Sequence, residues 1–330
     1  MSRIFAYIQH KGGLADDSAA ELIAAAKQID PTASPTAILA GWGENLEAAC
    51  KSLCSSFGFG EVWKIANETF AYPNAELARQ ALVKVLPANS IVLVPHDHFG
   101  IDLAPGLSVK LNSAFVPDVL AIDGVEGNFL KLVRQEFGGQ VSAHVRCDIS
   151  SGAVINLRPG AFRAEQTAAT SGVIVDQSSE VGALTARRRY VETVVAEAGD
   201  VDITKHNVLV SIGRGIQEKD NVSIAEELAE VLGAAVSCSR PVVDAKWLEK
   251  SRQVGSSGKT VKPKVYLACG ISGAFQHLAG IKGNPFIIAI NKNPKAPIFQ
   301  VADVGILDDV LEFLPELTER VREAHGVAAK

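Results

Sequence analysis

Residues 269–277, CGISGAFQH, follow the apolar run VYLA and combine two glycines with Ser272, Gln276 and His277. Gly270 and Gly273 permit a close backbone approach, and a helix that begins after Ser272 would point its first N–H groups back at the turn. Such a turn is an anion site suited to a pyrophosphate. A lone histidine is more often structural than functional, so a ring contact from His277 stays open at this point.

A second glycine turn lies in VLVSIGRGI (208–216), where Gly213 and Gly215 follow an apolar run. A nicotinamide-binding fingerprint needs a third glycine at position 218, which is Glu218 here, so that fingerprint fails. Two interpretations remain: a tight turn in which Arg214 faces a phosphate, or a plain turn.

Two further segments have both a functional and a structural interpretation. In SRPVVDAKW (239–247), Ser239 suits a helix N-cap with Pro241 in the first turn, or Arg240 projects toward an anion or a flat π system. In QVGSSGKT (253–260), glycines and serines suit phosphates or ring heteroatoms, or form a flexible connection. This second segment lacks the spacing of a phosphate-binding P-loop.

Three other patterns favour structural roles. The HDH triplet at 96–98 resembles a metal site, but no third and fourth ligand can be identified. Cys50 and Cys54 share a helix face and are interpreted as packing residues rather than a redox pair. The polar stretch 176–190, with three consecutive arginines, is interpreted as a solvated linker or helix face.

The elements that position these residues alternate between β-branched runs and Ala- and Leu-rich helical stretches. Strands are predicted at 3–8, 36–41, 61–66 and 90–95, with helices at 16–29, 44–53 and 74–86 between them. Residues 118–157 are β-rich, as in an antiparallel extension. A second βα series starts at 207–213 and ends in a helix at 308–324. The fold class is therefore α/β with parallel sheets, in an N-terminal domain 1–195 and a Rossmann-like, doubly wound C-terminal domain 196–330.

Composition limits the function and the compartment. The chain has 330 residues and a formal net charge of −5, which argues against nucleic acid or an anionic membrane as the main partner. The five cysteines form no CxxC pair and are expected to be buried, reduced thiols. No signal peptide is recognised and no apolar run approaches the ~20 residues of a membrane span. A bacterial cytoplasmic protein, or a mature organellar one, is expected.

The order and spacing of the segments GRG, SRPVVDAKW, QVGSSGKTVKPKVYLACGISGAFQHLAG and FIIAINKNPKAPIFQVADVGILDD resemble the FAD-binding domain of electron transfer flavoprotein α subunits. The similarity covers nearly all of 207–320. The N-terminal half resembles the first domain of that family more loosely, through its βα order and LRPGAF (157–162).

The resemblance implies one FAD, held mainly by the C-terminal domain. Arg214 and Ser239 would contact the cofactor and Arg240 would lie against the isoalloxazine. The ring and phosphates would be lined by Gln253, Val254, Gly255, Ser256 and Ser257. The ribityl chain and pyrophosphate would be held by Ser272, Gly273, Ala274, Phe275, Gln276 and His277, with His277 reaching the pyrimidine edge and adding positive charge if protonated. The adenosine end would face Asn291, Asp309 and Val310.

The sequence departs from the common family pattern at two places. Ser256 and Ser257 stand where many members have Gln-Thr, and the Ser257 hydroxyl can keep the bond that the threonine typically makes to flavin N5. Phe275 is bulkier than the usual aliphatic residue.

The resemblance also implies partners and a role without catalytic residues. A β subunit would complete a heterodimer and hold AMP or a second FAD. As an electron carrier, the chain would take electrons from flavoprotein dehydrogenases, such as the acyl-CoA dehydrogenases of fatty acid β-oxidation, and pass them to a membrane quinone oxidoreductase. The alternatives are an electron-bifurcating complex that oxidises NADH, and a nucleotide-binding regulatory module with a vestigial flavin site.

Overall fold

The computed structural model describes residues 3–137, 141–162, 172–192, 201–324 and 326. Contacts within the chain divide it into two compact units, 1–192 and 193–330. The predicted domain boundary near residue 195 lies outside the described residues and stays a prediction. Each unit is described below by itself.

The first unit contains a nine-stranded sheet and a small hairpin, counted over its described residues. Its strands are β1 (Ile4–Tyr7), β2 (His10–Lys11), β3 (Leu14–Ala15), β4 (Thr36–Gly41), β5 (Glu61–Ala66), β6 (Ile91–Pro95), β7 (Ala114–Glu126), β8 (Phe129–Glu136), β9 (Val141–Asp148), β10 (Ala153–Leu157) and β11 (Val173–Asp176). The spatial order is β11-β5-β4-β1-β6-β10-β7-β8-β9, and β2 pairs with β3 outside this sheet.

Helices cover both faces of the parallel part of that sheet. They are α1 (Ser18–Ile29), α2 (Glu44–Phe57), α3 (Ala75–Val85), α4 (His98–Leu111) and the single turn α5 (Ser178–Val181). Ala6 of β1 packs in the cluster that contains α1 and α2, whereas its neighbour Phe5 packs with α3 and α4. Successive strand residues point to opposite faces, so a strand that is buried on both sides has almost only apolar side chains, as the buried IFAY of β1 does.

The β-rich stretch 118–157 was predicted as an antiparallel extension, and this is only partly correct. Strands β7, β8 and β9 are antiparallel, but β10 runs parallel between β6 and β7. The reason is that β9 returns through a turn at Ser150–Gly152 and the chain then re-enters the parallel sheet. Strand β10 thus completes the parallel sheet rather than extending the antiparallel end.

The segment LRPGAF joins this inserted strand to its neighbour. Arg158 donates two hydrogen bonds to the carboxylate of Asp118, at 2.8 and 2.6 Å, and a third to Gln135. Burial alone would raise the pKa of Asp118, but the hydrogen bonds and charge of Arg158 outweigh it and hold the pKa below its usual value. This half-buried ion pair therefore ties the end of β10 to β7.

The polar stretch 176–190 lies along the first unit. Arg188 pairs with Asp102 at 2.6 Å, and the backbone N–H of Arg187 donates to Glu76. The arginine side chains are exposed, as expected for solvated charges. The stretch contacts α3 and α4, so over its described residues it is packed against these two helices and is not a free linker.

The second unit has a five-stranded parallel sheet, counted over its described residues. Its strands are β12 (Val208–Ile212), β13 (Ala235–Cys238), β14 (Val265–Cys269), β15 (Phe286–Ile290) and β16 (Val304–Ile306), in the order β13-β12-β14-β15-β16. Its helices are α6 (Val222–Leu232), α7 (Arg240–Asp244), α8 (Phe275–Leu278) and α9 (Val310–Ala324). The mixed sheet of the first unit and the parallel sheet of the second, both packed with helices, confirm the predicted α/β fold class.

The strand orders fix where each unit has a crevice. In the second unit, β12 lies between β13 and β14, so the chain passes from β12 to β13 on one side and then crosses back to β14 on the other side. In the first unit, the same reversal occurs between β1 and β6. Ligands of open α/β sheets bind at the carboxyl ends of strands beside such a reversal. The second unit's crevice lies between the segments GRG and CGISG.

No helix in the described ranges is long and apolar enough to cross a membrane. All five cysteines are buried, as predicted, and none of them is joined in a disulfide.

Candidate functional site

The loops after β12 and β14 pack backbone against backbone. The N–H of Gly213 donates to the carbonyl of Cys269 at 2.9 Å, and the N–H of Gly215 donates to that of Gly270 at 3.1 Å. A Cβ on Gly213 would overlap the carbonyl oxygen of Gly270. Glycine is required here because only a bare Cα permits this approach. The tight turn is confirmed, and it leaves the Arg214 side chain exposed above the crevice.

The segment CGISGAFQH presents N–H groups at the same edge. The helix predicted after Ser272 is the single turn α8, in which the N–H groups of His277 and Leu278 both donate to the carbonyl of Ala274. For the N–H groups of Ser272, Gly273 and Ala274, no acceptor is present among the described residues. These donors, with the exposed Ser272 hydroxyl, are a set that fits an anionic group such as a pyrophosphate.

The loop QVGSSGKT is closed by its own hydrogen bonds. The N–H of Lys259 donates to the carbonyl of Gln253 at 2.7 Å, and the Gln253 side chain donates to the Ser257 hydroxyl at 2.9 Å. The N–H of Ser256 donates across to the carbonyl of Gln276 at 2.7 Å. These bonds favour an ordered loop over a flexible connection. Gln253, Val254 and Gly255 are buried, while the Ser256 and Ser257 hydroxyls are exposed beside α8.

The segment after β13 begins a helix, as the structural interpretation predicts, and its exposed arginine is also compatible with the functional interpretation. Pro241 lies in the first turn of α7, and Ser239 occupies its N-cap position without a side-chain capping bond. Arg240 is exposed, and its guanidinium lies 3.4 Å from the Asp244 carboxylate. An exposed pair of this kind is weak, so the guanidinium can turn toward a ligand at little cost.

His277 does not reach toward the solvent side of this edge. It is only 6% exposed, its Nε2 lies 2.8 Å from the Tyr266 hydroxyl, and its Nδ1 lies 3.1 Å from the Val254 carbonyl oxygen. Burial lowers the pKa of His277 to about 4, so the ring is neutral at pH 7. In this structure the ring therefore carries no positive charge at pH 7, and a reach to a flavin edge requires the side chain to turn, so the contact of His277 with the pyrimidine edge stays a prediction.

The residues predicted at the adenosine end lie after β15 and β16. The Asn291 amide donates to the Ile271 carbonyl at 2.9 Å, which joins β15 to the CGISG loop. Asp309 pairs with Lys292 at 2.5 Å, and that hydrogen bond lowers the pKa of Asp309. The Val310 side chain is 3% exposed and packs in the core, so only its backbone is available to a ligand.

The predicted residues thus lie at the carboxyl ends of all five strands of one sheet. Comparison with known proteins gives the family. Residues 4–181 match the model of the electron transfer flavoprotein domain, and residues 202–282 match that of the electron transfer flavoprotein FAD-binding domain. The chain is 33% identical to electron transfer flavoprotein subunit alpha of Thermoanaerobacterium thermosaccharolyticum over 97% of this chain and 98% of that protein. This chain belongs to the electron transfer flavoprotein α-subunit family.

The chain is similar to other members of the family to about the same degree. The subunit alpha of Clostridium acetobutylicum is 36% identical over 88% of each chain, and that of Bacillus subtilis is 34% identical over 92% of each. Among solved structures, a thiamine diphosphate-dependent 4-hydroxybenzoylformate decarboxylase of Rhodococcus jostii RHA1 aligns with 96% of this chain and 59% of its own. Its identity of 11% and TM-score of 0.24 carry no argument.

FAD is the cofactor of the electron transfer flavoprotein domain that matches the second unit. That match contains every predicted cofactor residue except Asn291, Asp309 and Val310, which follow it. The glycine contact, the N–H donors of the CGISG loop and the exposed hydroxyls fit a dinucleotide with a flat ring. The roles of the individual residues stay predictions.

The other candidates in this electron transfer flavoprotein chain are structural. Within the described ranges, no group of three His, Cys, Asp or Glu side chains is arranged to hold a metal ion. In the HDH triplet, Asp97 caps α4 by accepting the Gly100 N–H at 2.7 Å. Cys50 and Cys54 are buried on α2, and burial raises the pKa of the Cys50 thiol to about 12, which fits packing.

Sequence reasoning missed three residues that shape this site. Tyr266 is hydrogen-bonded to His277, Ser211 is hydrogen-bonded to Tyr266, and Asp244 pairs with Arg240. A tyrosine in the otherwise aliphatic strand VYLAC was a usable signal, because a buried phenol usually needs a hydrogen-bond partner.

Proposed function

We propose that this chain is the FAD-holding α subunit of a heterodimeric electron transfer flavoprotein. It accepts electrons from flavoprotein dehydrogenases, such as acyl-CoA dehydrogenases, and a membrane quinone oxidoreductase takes them onward. The observation that carries the proposal is the convergence of the family's cofactor motifs on one crevice, at the β12/β14 reversal of the second unit.

The residues divide by the part of the cofactor that they suit. The N–H groups of Ser272, Gly273 and Ala274, together with Arg214, bind and orient the negatively charged pyrophosphate. Arg240 lies near the ring and supplies positive charge there. When bound, FAD supplies the group that gains and loses electrons, and the protein sets its potential and its exposure.

The hydroxyls of the QVGSSGKT loop orient the ring in this proposal. Ser257 accepts a hydrogen bond from the Gln253 side chain at 2.9 Å, which leaves its own proton free to be donated. Ser256 lies beside it with its backbone bonded to Gln276. The two serines in place of the commoner Gln-Thr pair therefore keep one donor hydroxyl at a fixed position.

A partner chain is needed to complete the site. The side chain of Arg240 is 69% exposed and Phe275 is 53% exposed, so the outer side of the crevice is open in this chain. A flavin ring that stays open to solvent buries less of its surface, so the FAD is bound less tightly. We propose that a β subunit covers it and holds a second nucleotide, AMP or FAD, of its own.

Counting the flavin tests this assignment. The chain coexpressed with its β subunit is expected to be a yellow heterodimer with one FAD and one AMP. The α chain purified alone is expected to lose most of its FAD during gel filtration, since the outer side of the crevice is open in this chain. The measurement is the ratio of flavin and AMP to protein in each preparation, by absorbance and by chromatography of the released nucleotides.

The β subunit purified alone is the control, and it should carry the AMP but no flavin. Two FAD per heterodimer would instead identify the bifurcating, NADH-oxidising alternative. A heterodimer without flavin would identify a regulatory module and contradict the proposed electron carrier.

A further inference from the structure

A chain of buried polar groups runs beneath the proposed FAD site. Ser211 on β12 and Tyr266 on β14 are both 0% exposed, and their hydroxyl oxygens are 2.7 Å apart. The Tyr266 oxygen also lies 2.8 Å from Nε2 of His277, whose Nδ1 lies 3.1 Å from the carbonyl oxygen of Val254. Of these four residues, only His277 and Val254 are among those that the family resemblance predicts to contact FAD.

The direction of the hydrogen bonds in this chain follows from its two ends. The Val254 carbonyl can only accept, so Nδ1 of His277 carries a proton and donates it. Burial keeps the imidazole neutral at pH 7, so Nε2 has no proton and accepts from the Tyr266 hydroxyl. Tyr266 has one proton and donates it to His277, so its oxygen is left to accept from a neighbouring serine hydroxyl; Ser211 lies 2.7 Å away and Ser237 is a second hydrogen-bond partner.

This chain of bonds joins the central strands to both loops that border the proposed site. Val254 belongs to the QVGSSGKT loop, and His277 belongs to α8 in the CGISGAFQH segment. The two loops also meet directly, because the Ser256 N–H donates to the Gln276 carbonyl at 2.7 Å. A change at Tyr266 is therefore transmitted to the spacing of Ser257 and Gln276 without any contact to a ligand.

We propose that Tyr266 is a positioning residue that locks His277 as the Nδ1-protonated imidazole and so fixes the spacing of the two cofactor loops. The inference rests on the proposed function for its effect on FAD, but the hydrogen-bond chain is a property of the protein alone. Among the described residues, His277 is the predicted cofactor residue to which the Tyr266 hydroxyl is hydrogen-bonded, so the hydroxyl acts through that side chain.

Tyr266→Phe in the heterodimer tests the effect on FAD. Removing the hydroxyl leaves a buried acceptor unsatisfied at Nε2, so His277 shifts and the loops lose their spacing. The FAD dissociation constant is expected to rise about tenfold, equivalent to ~1.4 kcal/mol. The matched control is Tyr7→Phe, which removes the hydroxyl of a 4% exposed tyrosine from a strand of the first unit and should leave FAD affinity unchanged. Unchanged affinity in Tyr266→Phe, or an equal loss in Tyr7→Phe, would overturn the inference.

Nitrogen-15 NMR of the histidine rings gives a readout that a merely structural role would not produce. In the wild-type heterodimer, the His277 signals, assigned by their loss in His277→Gln, should show protonated Nδ1 and unprotonated Nε2 from pH 5.5 to 8. In Tyr266→Phe the Nε2 resonance should move toward that of a nitrogen without a hydrogen bond. A protonated Nε2 in the wild type, or a ring that titrates near pH 6.5, would overturn the inference.

These measurements separate the two claims. A wild-type heterodimer that binds no FAD would contradict the proposed function, and the NMR result would still decide whether the hydrogen-bond chain exists. If Tyr266→Phe does not fold, Ser211→Ala takes its place, because it removes a hydroxyl that is hydrogen-bonded to Tyr266 in the same chain. The expected result is then a smaller, roughly threefold loss of FAD affinity, and unchanged affinity overturns the inference.

Discussion

Gly213→Ala is expected to weaken FAD binding by about 100-fold, equivalent to ~2.7 kcal/mol. The added Cβ would overlap the carbonyl oxygen of Gly270, which belongs to the backbone of the loop after β14. The two loops must then separate, and the N–H donors of the CGISG segment lose their position. Overpacking of this kind should also lower the free energy of unfolding by about 2–3 kcal/mol. The measurements are FAD titration of the heterodimer apoprotein and urea unfolding.

Gly233→Ala is the matched control for this substitution. Gly233 ends α6 before β13 begins, and a Cβ there meets nothing within 4 Å. Its φ of 60° makes alanine cost about 1 kcal/mol of stability, with no reason for a change in FAD affinity. If Gly213→Ala bound FAD as tightly as Gly233→Ala, the crevice between β12 and β14 would not be the cofactor site.

Arg240→Ala is expected to lower the midpoint potential of the bound flavin by about 20–40 mV while most FAD binding remains. Reduction adds negative charge to the ring, and a guanidinium nearby stabilises the reduced form by about 1–2 kcal/mol. The residues proposed to bind the phosphates lie on other loops, after β12 and β14. Arg240→Lys should recover only part of the potential, because an ammonium does not lie flat on a ring. Spectroscopic redox titration of the heterodimer measures all three proteins.

Lys264→Ala is the control for the loss of one positive charge. Lys264 is exposed and stands immediately before β14, at the opposite edge of the same sheet. Its removal should leave the potential within a few millivolts of the wild type, since water and salt screen a distant exposed charge. An equal shift in both alanine variants, or none in either, would show that Arg240 does not lie near the flavin.

The central strands of both parallel arrays were predictable because they are buried on both faces. The runs IVLVP and VYLAC contain no charged residue and are followed directly by His96 and Gly270, so β6 and β14 could be placed from the sequence. The GRG turn was also predictable, because its glycines follow a strand directly. The parallel insertion of β10 was not, because nothing local specifies which neighbours a strand will have.

The candidate site was predictable in its positions but not in its contacts. The motif order placed the cofactor residues, while the environment of His277 depends on Tyr266 and on Val254, which lies 23 residues earlier in the chain. Whether His277 is buried depends on how β14 and the QVGSSGKT loop pack together, and the spacing of residues along the sequence does not reveal that packing. The ion pair of Arg188 with Asp102, 86 residues away, escaped prediction for the same reason.

Hydrogen–deuterium exchange of the heterodimer with and without FAD tests the central claim most directly, because both units have a crevice at a reversal of strand order. FAD is expected to slow amide exchange at 213–216, 253–259 and 270–278 in the second unit. Exchange at 8–16 and 95–99, after β1 and β6 of the first unit, is expected to stay unchanged. Slowed exchange at the first unit's crevice, with none at 213–278, would contradict the assignment of FAD to the carboxyl edge of the second sheet.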